Sequence, residues 1–129
     1  MCDVLVVGNQ SHYLELVTSF LNSVGISAKS ANSGETALAN LKATQFKLLI
    51  TDLNISGISG VDMAKKAIAS VPGLSVILMT AQGFDEVIES AKSAGIRHII
   101  TRPLCQEQLI NAIDVATDGA VKANREMYV

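Results

Sequence analysis

The chain has 129 residues, of which 49% are hydrophobic and 17% are charged, and its formal net charge is −2. This length suits one domain with a proper core, and the composition excludes a disordered chain or a disulfide-stapled scaffold. The small negative charge argues against a nucleic-acid-binding domain. The longest apolar runs have four residues, against the ~20 that a membrane-spanning helix needs. We therefore expect neither nucleic acid nor a membrane as a partner.

The first predicted elements are a strand, a helix and a second, weaker strand. The continuous apolar run at residues 4–7 is typical of a strand that is buried on both faces. Apolar residues then recur at helical spacing over residues 13–24, with Ser11 as the predicted N-cap and Gly25 as the residue that ends the helix. Residues 26–30 form the second predicted strand.

The next elements repeat this order. Asn32 and Glu35 have the spacing of a capping box, which predicts the start of a second helix. Residues 48–51, Leu-Leu-Ile-Thr, form a third predicted strand, which is buried and ends at Asp52. A glycine-containing loop and a helical apolar stripe over residues 61–71 follow.

The last two strand–helix units complete the pattern. A fourth strand at residues 76–79 ends at Thr80, and a helical stripe covers residues 84–94. A fifth strand at residues 98–100 precedes a last helical face at residues 109–116. Five alternating strands and helices predict an α/β fold with a parallel sheet and helices on both of its faces.

The domain boundary and the compartment follow from simpler features. We expect one domain over residues 1–119 and a polar tail over residues 120–129, which either frays or extends the last helix. Cys2 and Cys105 lack the spacing of a metal or redox site, and no basic leader opens the sequence. These features predict a cytoplasmic protein with reduced thiols.

Ligands of open parallel sheets bind outside the carboxyl ends of the strands, so the residues that follow each strand are the candidates for a site. Asp52, Thr80 and Arg102 bring a carboxylate, a hydroxyl and a guanidinium to this edge. Such a set suits a phosphoryl group, which the carboxylate accepts while the other two hold its oxygens. The alternative is that Asp52 caps its own loop and that Arg102 is a solvated surface cation.

Three motifs in this order resemble the receiver domains of response regulators. They are Asp52-Leu53-Asn54 with Gly57 and Gly60, then Leu78-Met79-Thr80-Ala81, and finally Ile99-Ile100-Thr101-Arg102-Pro103-Leu104. The resemblance covers about residues 3–118. It implies a signalling module rather than an enzyme, with a flavodoxin-like (βα)5 three-layer sandwich and strand order 2-1-3-4-5.

The resemblance also implies roles for particular residues. Asp52 matches the aspartate that takes a phosphoryl group from a histidine kinase, and Thr80 matches the hydroxyl that turns toward it, with Ala81 beside it. In the family, two acids after the first strand hold magnesium together with the phosphoacceptor. Here Asn9, Asp52 and Asn54 are only weak candidates for metal ligands.

The sequence departs from the family pattern at the site itself. Gly8 and Asn9 stand in place of the acidic pair, and Arg102 replaces the lysine that contacts the phosphoryl oxygens. Ile99 replaces the aromatic residue of the fifth strand, so that no ring is present to swing. Magnesium is bound mainly through carboxylates and water, so this site should hold it poorly. Asp52 and Arg102 are then expected to satisfy each other.

Three hypotheses remain open. The first is a degenerate receiver that acts mainly through protein–protein contacts, with no confident cofactor. The second is a working receiver that is phosphorylated on Asp52 and recruits magnesium through Asn9 and backbone carbonyls. The third is a flavodoxin-like nucleotide-binding enzyme, for which no phosphate-binding motif is present in the sequence. For a receiver, the expected partners are a histidine kinase, a downstream effector or a sister subunit, docked on the face of helix 4, strand 5 and helix 5.

Overall fold

Strands and helices alternate along the whole described part of the chain. The computed structural model describes residues 3–8, 11–53, 55, 58–80, 85–101 and 106–121. The elements in chain order are β1 Val4–Val7, α1 Ser11–Ser23, β2 Ala28–Ala31, α2 Gly34–Ala43, β3 Leu48–Asp52, α3 Gly60–Ser70, β4 Ser75–Thr80, α4 Asp85–Ser93, β5 His98–Thr101 and α5 Gln106–Ala116. The longest of these helices has 13 residues, and no helix in the described residues is long and apolar enough to span a bilayer.

The five strands form one parallel sheet in the order β2-β1-β3-β4-β5, which confirms the predicted topology. The register places Val4 of β1 beside Leu48 of β3, and the pairing of β3 with β4 ends at Asp52 beside Met79. Because all the strands run the same way, their carboxyl ends lie along one edge of the sheet. Two of the predicted site residues, Asp52 and Thr80, lie along this edge.

The core lies in two layers, one on each face of the sheet, because successive strand residues point to opposite faces. On one face, residues such as Leu5 and Leu49 pack with Met63 of α3. On the other face, residues such as Val6 and Ile50 pack with helices α1 and α5. Each fully buried aliphatic side chain contributes about 1.5–3 kcal/mol, so these two layers carry most of the stability. These layers hold the strands whose carboxyl ends carry Asp52 and Thr80.

Two predicted helix starts differ from the structure. The residue that caps α2 is Ser33, not Asn32: Ser33 has an extended backbone with φ −152°, and its hydroxyl accepts a hydrogen bond from the Thr36 amide at 3.1 Å. Both residue types are good caps, so the sequence pattern could not separate neighbours. Ser11 is the first residue of α1 rather than its cap. The predicted end at Gly25 is confirmed, with a left-handed φ of 85°.

The chain continues past α5 in contact with the core. The Val121 side chain is buried in the layer on the α1 and α5 side, and its amide donates a hydrogen bond to the Thr117 hydroxyl at 3.1 Å. Residues 122–129 lie outside the described part of the chain. The domain boundary at residue 119 therefore stays a prediction.

Candidate functional site

Three positions lie side by side on the carboxyl edge of the sheet. Asp52 ends β3 and is 7% exposed, and Thr80 ends β4 and is 4% exposed. Asp52 pairs with Met79, so Thr80 extends one residue farther along the neighbouring strand. On the other side, Val7 pairs with Thr51, and the buried Gly8 follows at the level of Asp52. Neighbouring strands are about 4.8 Å apart, so all three positions belong to one site.

The backbone around Asp52 is fixed by hydrogen bonds on both sides. The Leu53 amide donates to the carbonyl oxygen of Met79 at 3.1 Å, which continues the pairing with β4 past the end of the strand. The fully buried Thr51 donates its hydroxyl to the carbonyl oxygen of Asp52 at 3.0 Å. Neither hydrogen bond involves the Asp52 carboxylate. Both fix the main chain at residues 52 and 53, and so the position of the Asp52 α-carbon. No sequence pattern singles out Thr51 as part of this site.

Gly60 lets α3 begin against the end of β3. Its amide donates to the carbonyl oxygen of Leu53 at 2.7 Å. A β-carbon at position 60 would lie 1.9 Å from the carbonyl oxygen of Asp52, which is a backbone atom and cannot move aside cheaply. Glycine is therefore required here by close approach. The resemblance to receiver domains puts Gly60 in the loop that follows the phosphoacceptor, and this close approach explains why the residue is glycine.

The loop between β3 and α3 is also anchored on α2. The side chain of Ile55 is buried in the core, and Ile58 packs beside it. A β-carbon at Gly34, the first residue of α2, would lie 2.1 Å from Cγ2 of Ile58. The Ile58 side chain therefore packs directly against the backbone of Gly34, in the space that a side chain at position 34 would occupy. Sequence reasoning missed this contact because the two residues are distant along the chain and no local pattern links them.

Gly8 faces the Asp52 carboxylate directly. A β-carbon at position 8 would lie 2.7 Å from Oδ2 of Asp52 and 3.3 Å from Cδ2 of Leu14. The φ angle of Gly8 is outside the left-handed region, so the backbone conformation does not demand glycine. Because Gly8 has no side chain, the space beside it is free, and the carboxylate of Asp52 extends into that space. A side chain at position 8 would point into the site.

The described residues do not fit a magnesium site of the usual kind. Magnesium is coordinated by oxygen atoms, with one or more carboxylates in the set. Of the three neighbouring strand-end positions, Asp52 brings a carboxylate, Thr80 brings a hydroxyl and Gly8 brings no side chain. No group of three or more His, Cys, Asp or Glu side chains with metal-binding geometry occurs in the described part of the chain. Asn9 and Asn54 lie outside the described residues.

The other predicted site residues are only partly placed. Ile99 lies inside β5 beside Leu78, is half-buried, and packs against the core on the α3 side. It is therefore part of the hydrophobic core as well as a candidate switch position. Ala81 and Arg102 lie outside the described residues, so the expected pairing of Arg102 with Asp52 stays a prediction.

Comparison with known proteins gives consistent similarities. The sequence profile of the response regulator receiver domain matches residues 4–114. The chemotaxis protein CheY-3 of Vibrio cholerae is 31% identical over 114 residues, which is 86% of this chain and 88% of that protein. The transcriptional regulatory protein GlrR of Escherichia coli is 29% identical over 125 residues, which is 97% of this chain but 28% of that protein.

Solved structures agree on the fold. The chain superposes on the Vibrio cholerae chemotaxis protein CheY4 with a TM-score of 0.85 at 21% identity, covering 90% of this chain and 98% of that one. A response regulator receiver protein from Pseudomonas putida gives a TM-score of 0.79 at 26% identity, covering 88% of this chain and 96% of that one. These similarities favour the receiver hypotheses over a nucleotide-binding enzyme.

Proposed function

Because the chain belongs to the response regulator receiver family, whose members are domains of two-component signalling, we propose that it is a degenerate receiver. In this proposal the domain transmits signals mainly through protein–protein contacts, and Asp52 is a poor phosphoacceptor. The domain framework is that of the family, and the departures are concentrated at the acceptor site. We further propose that the protein acts in the cytoplasm.

The observation that carries this proposal is the contact between Gly8 and Asp52. The family has an acid at the position of Gly8, and a β-carbon there would point at Oδ2 of Asp52 from 2.7 Å. An acidic side chain at position 8 would therefore lie directly beside the Asp52 carboxylate. With Asn9 next to it in the sequence, the negative charge available to a divalent cation falls to that of Asp52. Cation affinity of oxygen sites follows the number of charged ligands, so magnesium binding should be weak.

Weak metal binding limits the chemistry of Asp52. In phosphoryl transfer, metal ions neutralise the charge on the transferred group, and catalysis rests on positioning and electrostatic stabilisation. Asp52 keeps the position of a nucleophile, but its carboxylate and an incoming phosphate are both negative and repel each other. Arg102 is the cation that we propose to pair with Asp52, since a guanidinium binds carboxylates through two parallel hydrogen bonds.

We propose that partners dock on the face formed by α4, β5 and α5. β5 is an edge strand of the sheet, and His98, Ile99 and Ile100 are only half-buried there. Unpaired edge strands with partly exposed aliphatic residues are natural places for another protein to bind. Receiver domains interact with histidine kinases and effectors, and we propose either of these, or a sister subunit, as the occupant of this face.

A second candidate function is a working receiver. The observation that favours it is the intact frame around the acceptor: Asp52 and Thr80 end adjacent strands. The Thr51 hydroxyl donates to the Asp52 carbonyl oxygen, and the Gly60 amide donates to that of Leu53. In such a receiver, the P–N bond of a kinase phosphohistidine breaks and a P–O bond to the Asp52 carboxylate forms. The two candidates differ in the metal affinity of the site.

A magnesium titration separates the candidates. The native chain, Asp52→Asn and the double variant Gly8→Asp/Asn9→Asp are titrated with magnesium chloride by isothermal calorimetry and by two-dimensional NMR. The degenerate receiver predicts no saturation in the millimolar range for the native chain, and measurable binding only in the double variant. Saturable submillimolar binding by the native chain, lost in Asp52→Asn, would overturn the proposal in favour of the working receiver.

A further inference from the structure

An open groove lies on the edge of the sheet opposite to Asp52. It is enclosed by the turns that precede β4 and β5 and by the end of α5, and its volume is about 1060 Å³. Buried or half-buried aliphatic residues, among them Ile68, Leu74 and Ile96, form its floor. The amino ends of the strands lie here, so this groove is separated from the acceptor site by the length of the sheet.

An exposed valine lies at the side of this groove. Val115 of α5 lines the groove and is 68% exposed; within the described residues, Leu16 of α1, at 69%, is the other large hydrophobic side chain with comparable exposure. Covering Val115 together with the aliphatic floor would remove a continuous apolar area from water. An exposed apolar surface next to a concave floor, rimmed by polar residues, is typical of a binding site for another molecule.

The rim of the groove carries cations. Lys92 and Arg97 line it and are exposed, and neither forms an ion pair with a residue in the described ranges. His98 also lines the groove, and Asp118 is its one acidic residue among those described. The chain as a whole has a net charge of −2, so this local excess of positive charge is a property of the groove. It would attract a negatively charged partner and repel a positively charged one.

The groove is elongated. A smaller hollow of about 300 Å³ shares Gly73, Leu74 and Ser75 with it and continues along the same edge to Lys47. Lys47 is half-exposed and pairs loosely with Asp3, with 3.8 Å between Nζ and Oδ1. The combined surface runs past the starts of β3, β4 and β5. That shape suits an extended segment better than a compact small molecule.

We propose that this groove binds a short acidic peptide segment of a partner protein. An aliphatic or aromatic side chain of the segment packs against Val115 and Leu74, and its carboxylates face Lys92 and Arg97. A second copy of the chain fits less well. A twofold dimer built on this surface would bring together two rims that each carry Lys92, Arg97 and His98 against one acid among the described residues, Asp118, so the two copies lack charge complementarity. The proposed binding does not depend on the chemistry of Asp52, so it is independent of the degenerate or working state of the acceptor site.

The test is a titration of the ¹⁵N-labelled full chain with two capped synthetic peptides, one of alternating Glu and Leu and one of alternating Lys and Leu. We expect the acidic peptide alone to shift the amide signals of Ile96, Arg97 and Val115. Val115→Ser and Arg97→Glu should each weaken binding by roughly tenfold. Leu16→Ser, which removes an equally exposed side chain from α1, should leave it unchanged. Both Val115 and Arg97 are exposed, so these variants are expected to fold, and circular dichroism checks this.

Three results would overturn the proposal. Equal binding of the two peptides would show that charge does not select the partner. Signal shifts that avoid the groove, or an equal loss of binding in Leu16→Ser, would place the peptide elsewhere. Sedimentation velocity tests the other occupant: concentration-dependent dimers of the native chain that are lost in Val115→Ser would assign the groove to a second copy.

Discussion

Replacing Gly8 by alanine should disturb Asp52 in a way that a double-mutant cycle can measure. The new β-carbon would lie 2.7 Å from Oδ2 of Asp52, about 0.7 Å less than the 3.4 Å at which ordinary contacts begin. Asp52 must therefore rotate or the strand ends must separate. Strain from such overpacking costs about 1–3 kcal/mol. The backbone of Gly8 is not left-handed, so alanine also gains ~0.4–1 kcal/mol from the less flexible unfolded chain.

Together, these two effects should lower the free energy of unfolding of the Gly8→Ala variant by about 1 kcal/mol relative to the native chain. With Asp52→Ala already present, the crowded oxygen is gone and the 3.3 Å approach to Cδ2 of Leu14 remains, so Gly8→Ala should change the free energy of unfolding by less than about 0.5 kcal/mol. The coupling free energy between the two positions is then about 0.5–1.5 kcal/mol. Asp52→Asn keeps the shape of the side chain and removes its charge, so Gly8→Ala should cost as much there as in the native chain.

The assay is urea unfolding of the native chain and of the single and double variants, followed by circular dichroism, with equal slopes as a check on two-state behaviour. Gly73→Ala is a matched control: its φ is 85° and nothing lies within 4 Å of the added carbon. Gly73→Ala should lower the free energy of unfolding by about 1 kcal/mol through backbone strain, and by the same amount whether or not Asp52→Ala is present. A coupling below about 0.3 kcal/mol between positions 8 and 52 would refute the close contact.

Three further changes test the frame of the site by the same unfolding measurement. Gly60→Ala should cost about 2–4 kcal/mol, because its β-carbon meets a backbone carbonyl; a loss below about 1 kcal/mol would contradict the close approach. Gly34→Ala should cost about 1–3 kcal/mol and recover in the Ile58→Ala background, where Cγ2 is gone; additive effects would argue against the contact. Ser33→Ala should cost about 1 kcal/mol and Asn32→Ala much less, since Ser33 caps α2; the reverse order would restore the capping box expected from the sequence.

Much of the fold could be predicted because its signals are local. Runs such as residues 48–50 are apolar throughout, which is typical of strands buried on both faces, and the structure buries β3 completely. The alternation of such runs with helical stripes fixed the sheet class. The strand order came from the resemblance to receiver domains, and the structure confirms it. Helix starts were less certain, because Asn32 and Ser33 are both good caps and only the backbone shows which one is used.

The candidate site was predictable in position and less so in detail. Asp52 and Thr80 follow apolar strands, so topology alone brings them to one edge. The resemblance to receiver domains also indicated that Gly8 stands in place of an acid. It could not show that the freed space lies against the Asp52 carboxylate, nor that Gly34 accommodates Ile58, because such contacts depend on the packing of elements far apart in the chain.

Phosphorylation of Asp52 by acetyl phosphate is the most direct test of the central claim. The native chain and Asp52→Asn are incubated with acetyl phosphate and millimolar magnesium, and intact-mass spectrometry follows the added phosphoryl group. The degenerate receiver predicts that the native chain gains no more of it than Asp52→Asn does. Rapid addition of one phosphoryl group to the native chain, absent from Asp52→Asn, would contradict the account and establish a working receiver.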